Sequence, residues 1–496
     1  MASTFFGLDI GKTGLFAAKA GLATTGNNVS NENTKGYSRQ VVNQQAKTSL
    51  RVYASYGMIG TGVEVTSIER VRDIYYDNKY RSNYSKLGEN STKYSYNIQL
   101  EDSFNEMSES GFTTLFADMF ASLQELKGTP DDITRRSEFL NYSQSLAEYM
   151  NEIKSRLTTV QMEANQEVSN SVSRINLYTD QIASLTKQIN IVEMAGGTAS
   201  ELRDQRDNML DSLSNIVPVN VTETKYENGK TDYLLRVGDF TLVNNYESHK
   251  LMLVTREDNN NKYDATGLFD IYYYYDDNDK TGTKFDVQSM NLSGSLRGIL
   301  DIRDGNNADE TSKASVNYKG IPHYINRIQE FKQAIADAFN NVHDKGIDLN
   351  GNSTAGVKIF EMSITGELSV NKDLLKNPSL MGATVNPLHQ GVSDSSLIDE
   401  FLEIRDANIL NNSTASEYLE SIVTESGVST QKSKLFEENY TTIVNTSDKQ
   451  RMSISGVDGD EEAMNLQKYQ EAYDICANVI TVMTECYDKL INEMGV

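Results

Sequence analysis

The sequence predicts a mainly α-helical fold with inserted β structure: terminal coiled-coil helices, a helical rod domain and a smaller β-rich domain. Three observations predict it. Large apolar residues follow a heptad repeat near the C-terminus, and small residues recur at helical spacing near the N-terminus. Between residues 216 and 290 the spacing of apolar residues changes from helical to strand-like. A chain of 496 residues can bury several cores, so we expect two to four domains.

The N-terminal helix is predicted from two stripes of residues. Leu8, Leu15, Leu22 and Val29 recur every seven residues, as at the a position of a heptad. The second stripe contains only small residues, which let another backbone approach closely: Gly7, Gly11, Gly14, Ala18, Gly21 and Thr25. Because a glycine inside a helix costs about 1 kcal/mol relative to alanine, we expect this helix to need a partner.

The same segment contains the second half of a phosphate-binding loop, Gly11, Lys12 and Thr13. Such a loop reads G-x-x-x-x-G-K-[ST], and Phe6 stands where its first glycine belongs. The loop also follows a buried strand, but only six residues precede Gly7. We therefore favour helix packing for these glycines and keep nucleotide binding as the alternative.

The middle of the chain is predicted to alternate between helix and strand. Apolar residues at helical spacing predict helices over 131–192, 200–215, from about 320, 393–411 and 414–445, with an extended stretch around 357–371. Residues 216–290 contain β-branched runs separated by polar turns such as REDNNN. We expect this β-rich module to project away from the helices.

The C-terminal helix has an apolar seam whose members alternate three and four residues apart: Leu466, Tyr469, Tyr473, Cys476, Ile480, Met483, Tyr487, Leu490 and Met494. Carboxylates at its start, from Asp458 to Glu462, favour the positive end of the helix dipole. One terminal helix with a small face and one with a large face predict that the two termini pair. The expected domains are 1–70 with 446–496 as a paired axial core, 71–215 with 291–445 as a helical rod, and 216–290 as the outer β-rich module.

No motif in the sequence predicts a catalytic site, a cofactor or a metal. The histidines lie far apart and outside any ligand motif, and we expect them to be exposed: His249, His323, His343 and His389. Residues 277–288 copy the start of a calcium loop, but Gln288 replaces the bidentate Glu at its twelfth position. Asp348 in DLNGN is predicted to form a turn with Asn350 and Asn352.

Charge and hydropathy restrict the partners. The net charge is −24 and the isoelectric point about 4.7, so the chain repels nucleic acid and anionic lipid. No apolar run approaches the ~20 residues of a membrane span. Asp9 and Lys12 interrupt what would be the apolar core of a secretory signal, which indicates a cytoplasmic protein or one exported without a cleaved signal.

Several segments resemble a known family. NVSNENTKGYSRQ, residues 28–40, resembles the N-terminal signature of the rod, hook and hook-associated axial proteins of the bacterial flagellum. In it Gly36 allows a turn, and Tyr37 and Arg39 are expected to be packing and interface residues. Residues 201–221, 295–305 and 348–352, together with the C-terminal helix, are similar to the hook-filament junction family of hook-associated proteins.

This resemblance implies a structural protein and not an enzyme. Members pass through the flagellar type III export channel, assemble at the hook tip and stack their terminal helices into an inner tube. The implied partners are other copies in a ring-like assembly, the hook protein, the third hook-associated protein and through it the filament, and an export chaperone at the C-terminal helix. The implied location is the extracellular flagellum, and the alternative is another axial protein, such as the hook protein or the third hook-associated protein. The expected interface residues are Leu8, Leu15, Leu22, Val29, Tyr37, Leu466, Tyr469, Tyr473, Ile480, Met483, Tyr487 and Leu490.

Overall fold

A computed structural model describes the chain over residues 6–51, 57–109, 111–226, 229–274, 282–386, 394–410 and 412–493, without the side chains of 105–109. Residues 277–281 of the segment that copies a calcium loop lie outside the described residues, as do His389 and Met494.

The described chain is mainly helical. Its α-helices are α1 Phe6–Ser30, α2 Ile74–Glu109, α3 Phe112–Gly128, α4 Ile133–Met194, α5 Ser200–Ile216, α6 Ser295–Asp304, α7 Ile321–His343, α8 Lys372–Lys376, α9 Ser396–Glu403, α10 Ala415–Ser455 and α11 Gly459–Asn492. Its strands are β1 Gln40–Ala46, β2 Leu50–Arg51, β3 Met58–Ile59, β4 Val63–Arg70, β5 Asn220–Lys225, β6 Thr231–Val237, β7 Phe240–Asn244, β8 Glu247–Ser248, β9 Leu251–Thr255, β10 Phe269–Tyr273, β11 Thr283–Lys284, β12 Phe360–Met362 and β13 Leu368–Val370. The predicted class, mainly α with inserted β, is confirmed.

One large apolar core holds the helical rod together. It lies between α3, the first half of α4, α7, α9 and the start of α10, and the β12–β13 hairpin covers it. Phe339 is central, with its ring centroid 5.5 Å from that of Phe360 and 5.6 Å from that of Phe401. Aromatic side chains of this size supply most of the apolar area that such a core removes from water.

The β-rich segment packs against the helices instead of projecting from them. Strands β5 to β8 form one antiparallel sheet, and β9 to β11 form another. Their inward residues share a core with the second half of α4, with α5 and with α6. The prediction of a projecting module is therefore wrong. The cause is that α4 carries buried side chains such as Val168, Ile175 and Ile182 along this whole half, and the sheets cover them.

Most predicted helices occur where the spacing placed them. The helix predicted over 393–411 is the exception, because α9 ends at Glu403 and the chain then turns, which buries Ile404 and Leu410 on the rod core. The helix predicted over 414–445 continues to Ser455. Sequence reasoning missed the pairing of β1 with β4, in which Gln40 lies opposite Arg70. This long hairpin contacts α1 and connects it to the rod.

Candidate assembly interface

The two ends of the chain pair as antiparallel helices. Glycines on α1 face large side chains on α11, and a Cβ added at Gly7, Gly14 or Gly21 would lie 2.5–2.6 Å from atoms of Met483, Cys476 or Tyr469, respectively. Each step of seven residues forward on α1 thus matches seven residues back on α11. The predicted pairing of the terminal helices, with small residues against large ones, is present.

The glycines of the incomplete phosphate motif lie inside this helix pair. An added Cβ at Gly11 would lie 2.9 Å from Cγ1 of Ile480, so α11 fills the space beside the backbone. The Thr13 hydroxyl donates to the Ile10 carbonyl (2.9 Å) and accepts from the Val63 amide (3.3 Å). Since residues 11–13 form continuous helix instead of a loop, the segment lacks the free amides that cradle a phosphate.

The predicted seam residues are covered to different degrees. Tyr469, Tyr473, Ile480, Met483 and Tyr487 are half-buried, and so are Leu8, Leu15 and Leu22 on α1. Val29, Leu466 and Leu490 remain exposed, by 42%, 38% and 47% respectively. A single partner helix covers only one side of α11, so part of the predicted seam stays open to solvent.

A second apolar row on α11 was missed by the sequence analysis. Ile475, Val479 and Val482 are 62%, 38% and 56% exposed, and Met464 lies on the same side of the helix. The spacing of four and three residues within ICANVITV was the available signal. On the polar face of the same helix lie Asp474 and Thr481. The apolar surface of α11 is therefore wider than its contact with α1, and α1 alone does not cover it.

The turn after α1 is fixed by Asn28. Its side-chain nitrogen donates to the Gln40 carbonyl (2.9 Å) and to Glu462 (3.1 Å), and its oxygen accepts from the Tyr37 hydroxyl (2.8 Å) and the Gln40 amide (3.0 Å). Gly36 has a φ of +79°, which explains the glycine. Burial and the nearby carboxylates of Glu201 and Asp204 raise the pKa of Tyr37 to about 12, so it stays a neutral donor. Within the chain, Tyr37 is a packing residue.

Arg39 connects this turn to the start of α11. Its guanidinium contacts Glu461 at 2.8 Å and Glu462 at 2.7 Å. Glu462 is only 2% exposed and also accepts from Asn28. The main-chain amide of Arg39 donates to the Ser455 carbonyl at the end of α10 (2.8 Å). Arg39, which belongs to the segment that resembles the axial-protein signature, therefore contacts both α10 and α11, on either side of residues 456–458.

A buried ionic cluster joins the terminal helices to the rod, and we call it the joint. Its carboxylates are Asp204, Asp207 and Asp211, which lie on one face of α5 at spacings of three and four. Asp204 accepts from the Ser38 amide (2.9 Å) and hydroxyl (2.7 Å), which connects the α1 turn directly to α5.

Arginines from four places in the chain complete the joint: Arg70 at the end of β4, Arg72 before α2, Arg81 on α2 and Arg451 on α10. Asp207 contacts Arg70 at 2.6 Å, Arg72 at 3.2 Å and Arg81 at 3.0 Å. Arg81 and Arg451 both contact Asp211, at 2.7 and 2.6 Å. The sequence analysis missed the joint, although the acidic spacing in ELRDQRDNMLD was visible.

The charges of the joint stabilise one another. Burial alone would raise the pKa of Asp207, but Arg70, Arg72 and Arg81 outweigh burial and hold that pKa far below its ordinary value. Burial likewise opposes the charge of Arg81, but Asp211 and Asp207 raise its pKa. Breaking such a pair leaves a buried charge uncompensated, which costs several kcal/mol. Loss of one of these charges is therefore expected to weaken the connection between the terminal helices and the rod.

The remaining polar residues show structural roles. His343 is buried, contrary to expectation: its Nδ1 contacts the Val357 carbonyl (2.6 Å) and its Nε2 accepts from the Gly382 amide (3.0 Å). Burial lowers its pKa, so it stays neutral. Asp348 accepts from the amides of Asn350 (2.8 Å) and Asn352 (2.7 Å), which confirms the predicted turn.

The described ranges contain neither a metal site nor a membrane-spanning helix. Nowhere in these ranges do three His, Cys, Asp or Glu side chains group as a metal site requires. In the same part of the chain, no helix is long and apolar enough to cross a membrane.

The family model and the full-length relatives point to the same family of proteins. A family model described as the helical domain of flagellar hook-associated protein FlgK matches residues 98–360. Flagellar hook-associated protein 1 of Bacillus subtilis (strain 168) is 30% identical over 100% of this chain and 99% of its own length. Its counterpart in Salmonella typhimurium is 25% identical over 97% and 98%. The solved flagellar hook junction protein FlgK of Burkholderia pseudomallei aligns at 22% identity with a TM-score of 0.47, over 58% of this chain and 47% of that one.

Paired terminal helices with an uncovered apolar side, joined firmly to a closed helical rod, define a structural subunit of a larger assembly. The full-length relatives and the family model specify the assembly. The chain belongs to the FlgK family of flagellar hook-associated proteins and is a structural component of the bacterial flagellum, associated with its other axial components.

Proposed function

We propose that this chain is the structural junction piece that joins the flagellar hook to the filament. The observation that carries the proposal is the incomplete terminal unit: α11 keeps Ile475, Val479 and Val482 exposed beside the face that α1 covers. Apolar area of this kind is removed from water when helices of neighbouring subunits pack together. Family membership identifies the neighbours as axial proteins of the flagellum.

In this function each part of the chain has its own role. Residues 1–70 with 446–496 form the axial core, which packs with the same parts of other copies in a ring. Residues 71–215 with 291–445 form the rod, and 216–290 form the β-rich part of its surface. The ring contacts the hook protein on one side and the third hook-associated protein, and through it the filament, on the other. The joint keeps core and rod at a fixed angle, so that force passes between them.

The same surface explains how the chain reaches its site. It leaves the cell through the flagellar export channel and assembles outside the cell. Before assembly the exposed apolar row of α11 must be shielded from water by another protein. An amphipathic helix of this kind fits the groove of an export chaperone. The chain acts mechanically and not as an enzyme, as expected for a member of a family of structural flagellar proteins.

Electron microscopy of cells that lack the gene tests this function, with flagellin assayed in the medium. We expect hooks without filaments and flagellin lost to the medium. Normal filaments would overturn the proposal, and absent hooks would move the protein to the hook or rod.

A pair of variants tests the role of the seam. Ile480→Asp places a charge against Gly11, whereas Thr481→Asp places the same charge on the polar face of α11. We expect only Ile480→Asp to abolish incorporation in complemented cells, while both purified proteins retain the thermal unfolding transition of the rod. Equal incorporation of the two variants would contradict the proposed role of the seam.

A further inference from the structure

Helix α10 has an inverted distribution of polar and apolar residues in its middle. Its buried face against α2 consists of hydroxyl residues: Ser426 is 2% exposed, Thr430 5% and Ser433 7%. Its outer face carries Val428 at 63% and Leu435 at 60% exposure. A helix that packs in a monomer ordinarily turns its apolar side inward. Here the monomer uses the polar side, and the apolar side remains uncovered.

Hydrogen bonds between polar side chains and main-chain groups join α10 to α2. The side chain of Asn97 on α2 donates to the Ser433 hydroxyl (2.9 Å), and the Thr430 hydroxyl donates to the Asn97 carbonyl (3.3 Å). Further along, Asn83 donates to the Ser447 hydroxyl (3.1 Å). These bonds fix the rotation of α10, so its apolar residues cannot turn inward without leaving buried polar groups unpaired.

The outer face of α10 forms a shallow groove, which we call the α10 groove. It has a volume of about 740 Å³, and its lining includes Val428, Gln431, Lys432, Leu435 and Phe436. Val428, Gln431 and Leu435 are spaced three and four residues apart, which is the pattern that receives another helix. The groove thus fits an apolar helical or rod-like surface and not a small polar ligand.

We infer that the α10 groove binds the rod of a neighbouring copy of this chain, side by side in the assembled ring. This inference rests on the proposed function. The size of the groove supports it: the lining spans residues 424–439, about 24 Å of one helix at ~1.5 Å per residue. A face of that length and about 10 Å wide is well below the ~800 Å² per partner of a stable interface between free proteins.

A contact this small is populated only when its partner is already held nearby. Copies whose terminal helices are packed together meet that condition, because tethering raises the effective concentration of the second contact.

Photo-crosslinking in purified hook-filament particles tests the inference. The photoreactive residue p-benzoylphenylalanine is placed at Leu435 in the full-length chain, which then complements a strain lacking the gene. We expect a crosslinked product of about twice the 55.4 kDa chain mass, containing only this protein by mass spectrometry. The same residue at Leu177, 53% exposed on α4 amid polar neighbours, is the matched control and gives no such product.

A third position separates the two proposals. With the photoreactive residue at Val482, on the exposed row of α11, the proposed function itself predicts a crosslink between axial neighbours. A product from Val482 but none from Leu435, or a product at Leu435 that contains a different axial protein, overturns the α10 inference alone. Absence of the wild-type chain from the particles overturns the proposed function.

Discussion

The rod and the terminal helix pair differ in how completely each buries its apolar residues. Helix α7 in the rod buries residues on every turn, among them Ile325, Ile328 and Phe339, whereas Glu462 is the one fully buried residue among the described positions of α11. Both helices have regular apolar spacing, so periodicity alone does not distinguish them. The difference indicates that the rod buries its apolar residues within one chain, whereas the terminal pair needs neighbouring subunits to bury its own.

The largest effect is expected in the rod core. Phe339→Ala removes a ring that contacts those of Phe360 and Phe401, and should lower the free energy of unfolding of the rod by about 3–5 kcal/mol. Urea denaturation followed by circular dichroism measures it. Ile364→Ala, at a position 97% exposed, is the control and should leave stability unchanged. A loss below about 1 kcal/mol for Phe339→Ala would mean that the rod is not closed as described.

The next effect concerns the joint between the two regions. Asp207→Ala leaves Arg70, Arg72 and Arg81 with less negative charge in a buried site and should cost about 3 kcal/mol, with faster proteolysis between α1 and α5. Asp180→Ala removes an exposed partner of Lys250 and should cost less than about 0.5 kcal/mol. Equal costs for the two variants in urea titrations would show that the joint is not a rigid connection.

Lys332 provides a contrast to the joint, because it is buried without a carboxylate partner. Its ammonium group donates to the Asn151 side chain (2.9 Å) and lies 3.3 Å from the Gly366 carbonyl. Burial, together with the nearby charge of Lys154, lowers the pKa of Lys332 to about 7, and Glu367 opposes this shift weakly from the hairpin. The folded-state pKa is therefore below the unfolded value of about 10.4.

This shift predicts a pH dependence with a definite sign. Between pH 7 and 10 the unfolded chain binds the proton that folded Lys332 has lost, so this residue makes stability rise with pH by up to about 1.4 kcal/mol per unit. Below pH 7 both states are protonated and the slope vanishes. Lys332→Met should remove this rise relative to the wild type in urea titrations at pH 7, 8 and 9. Parallel curves for the two proteins would contradict the assignment.

The smallest effect on rod stability is expected from the terminal helices, where two glycines form a matched pair. Gly21→Ala places a Cβ 2.5 Å from the ring of Tyr469, whereas at Gly26 the added Cβ meets no atom within 4 Å. We expect Gly21→Ala to separate α1 from α11, seen as faster proteolysis of both ends, with the rod changed by less than about 0.5 kcal/mol. Gly26→Ala should gain helix stability by up to about 1 kcal/mol. Similar proteolysis of both variants would argue against the described register.

Local patterns in the sequence predicted α1, α4, α5, α7, α10 and α11, but not α2, α3 or α6, and not the partners of each face. The small stripe around Gly14 and the large seam around Cys476 have strict spacing, and this sufficed to predict that the termini pair. The joint escaped prediction because Arg70, Arg81 and Arg451 come from distant segments, and an acidic chain offers many carboxylates as partners. Only the fold determines which of them meet.

Several residues are buried or exposed contrary to the rule that polar side chains stay in water and apolar ones leave it. His343 and Lys332 are buried although polar residues ordinarily stay in water, because neighbouring carbonyl and amide groups satisfy them. On α10 the opposite occurs, since hydroxyl groups pair with α2 while Leu435 faces outward. Apolar periodicity marks a face that will be covered, but it does not say whether the same chain or a neighbour covers it.

Hydrogen exchange followed by mass spectrometry, on the purified monomer and on assembled hook-filament particles, tests the central claim most directly. If neighbouring subunits are needed to cover the terminal pair, amides of α1 and α11 exchange quickly in the monomer and become protected in the particles. Amides of α7 are protected in both samples. Equal, strong protection of α11 in the monomer would contradict this account.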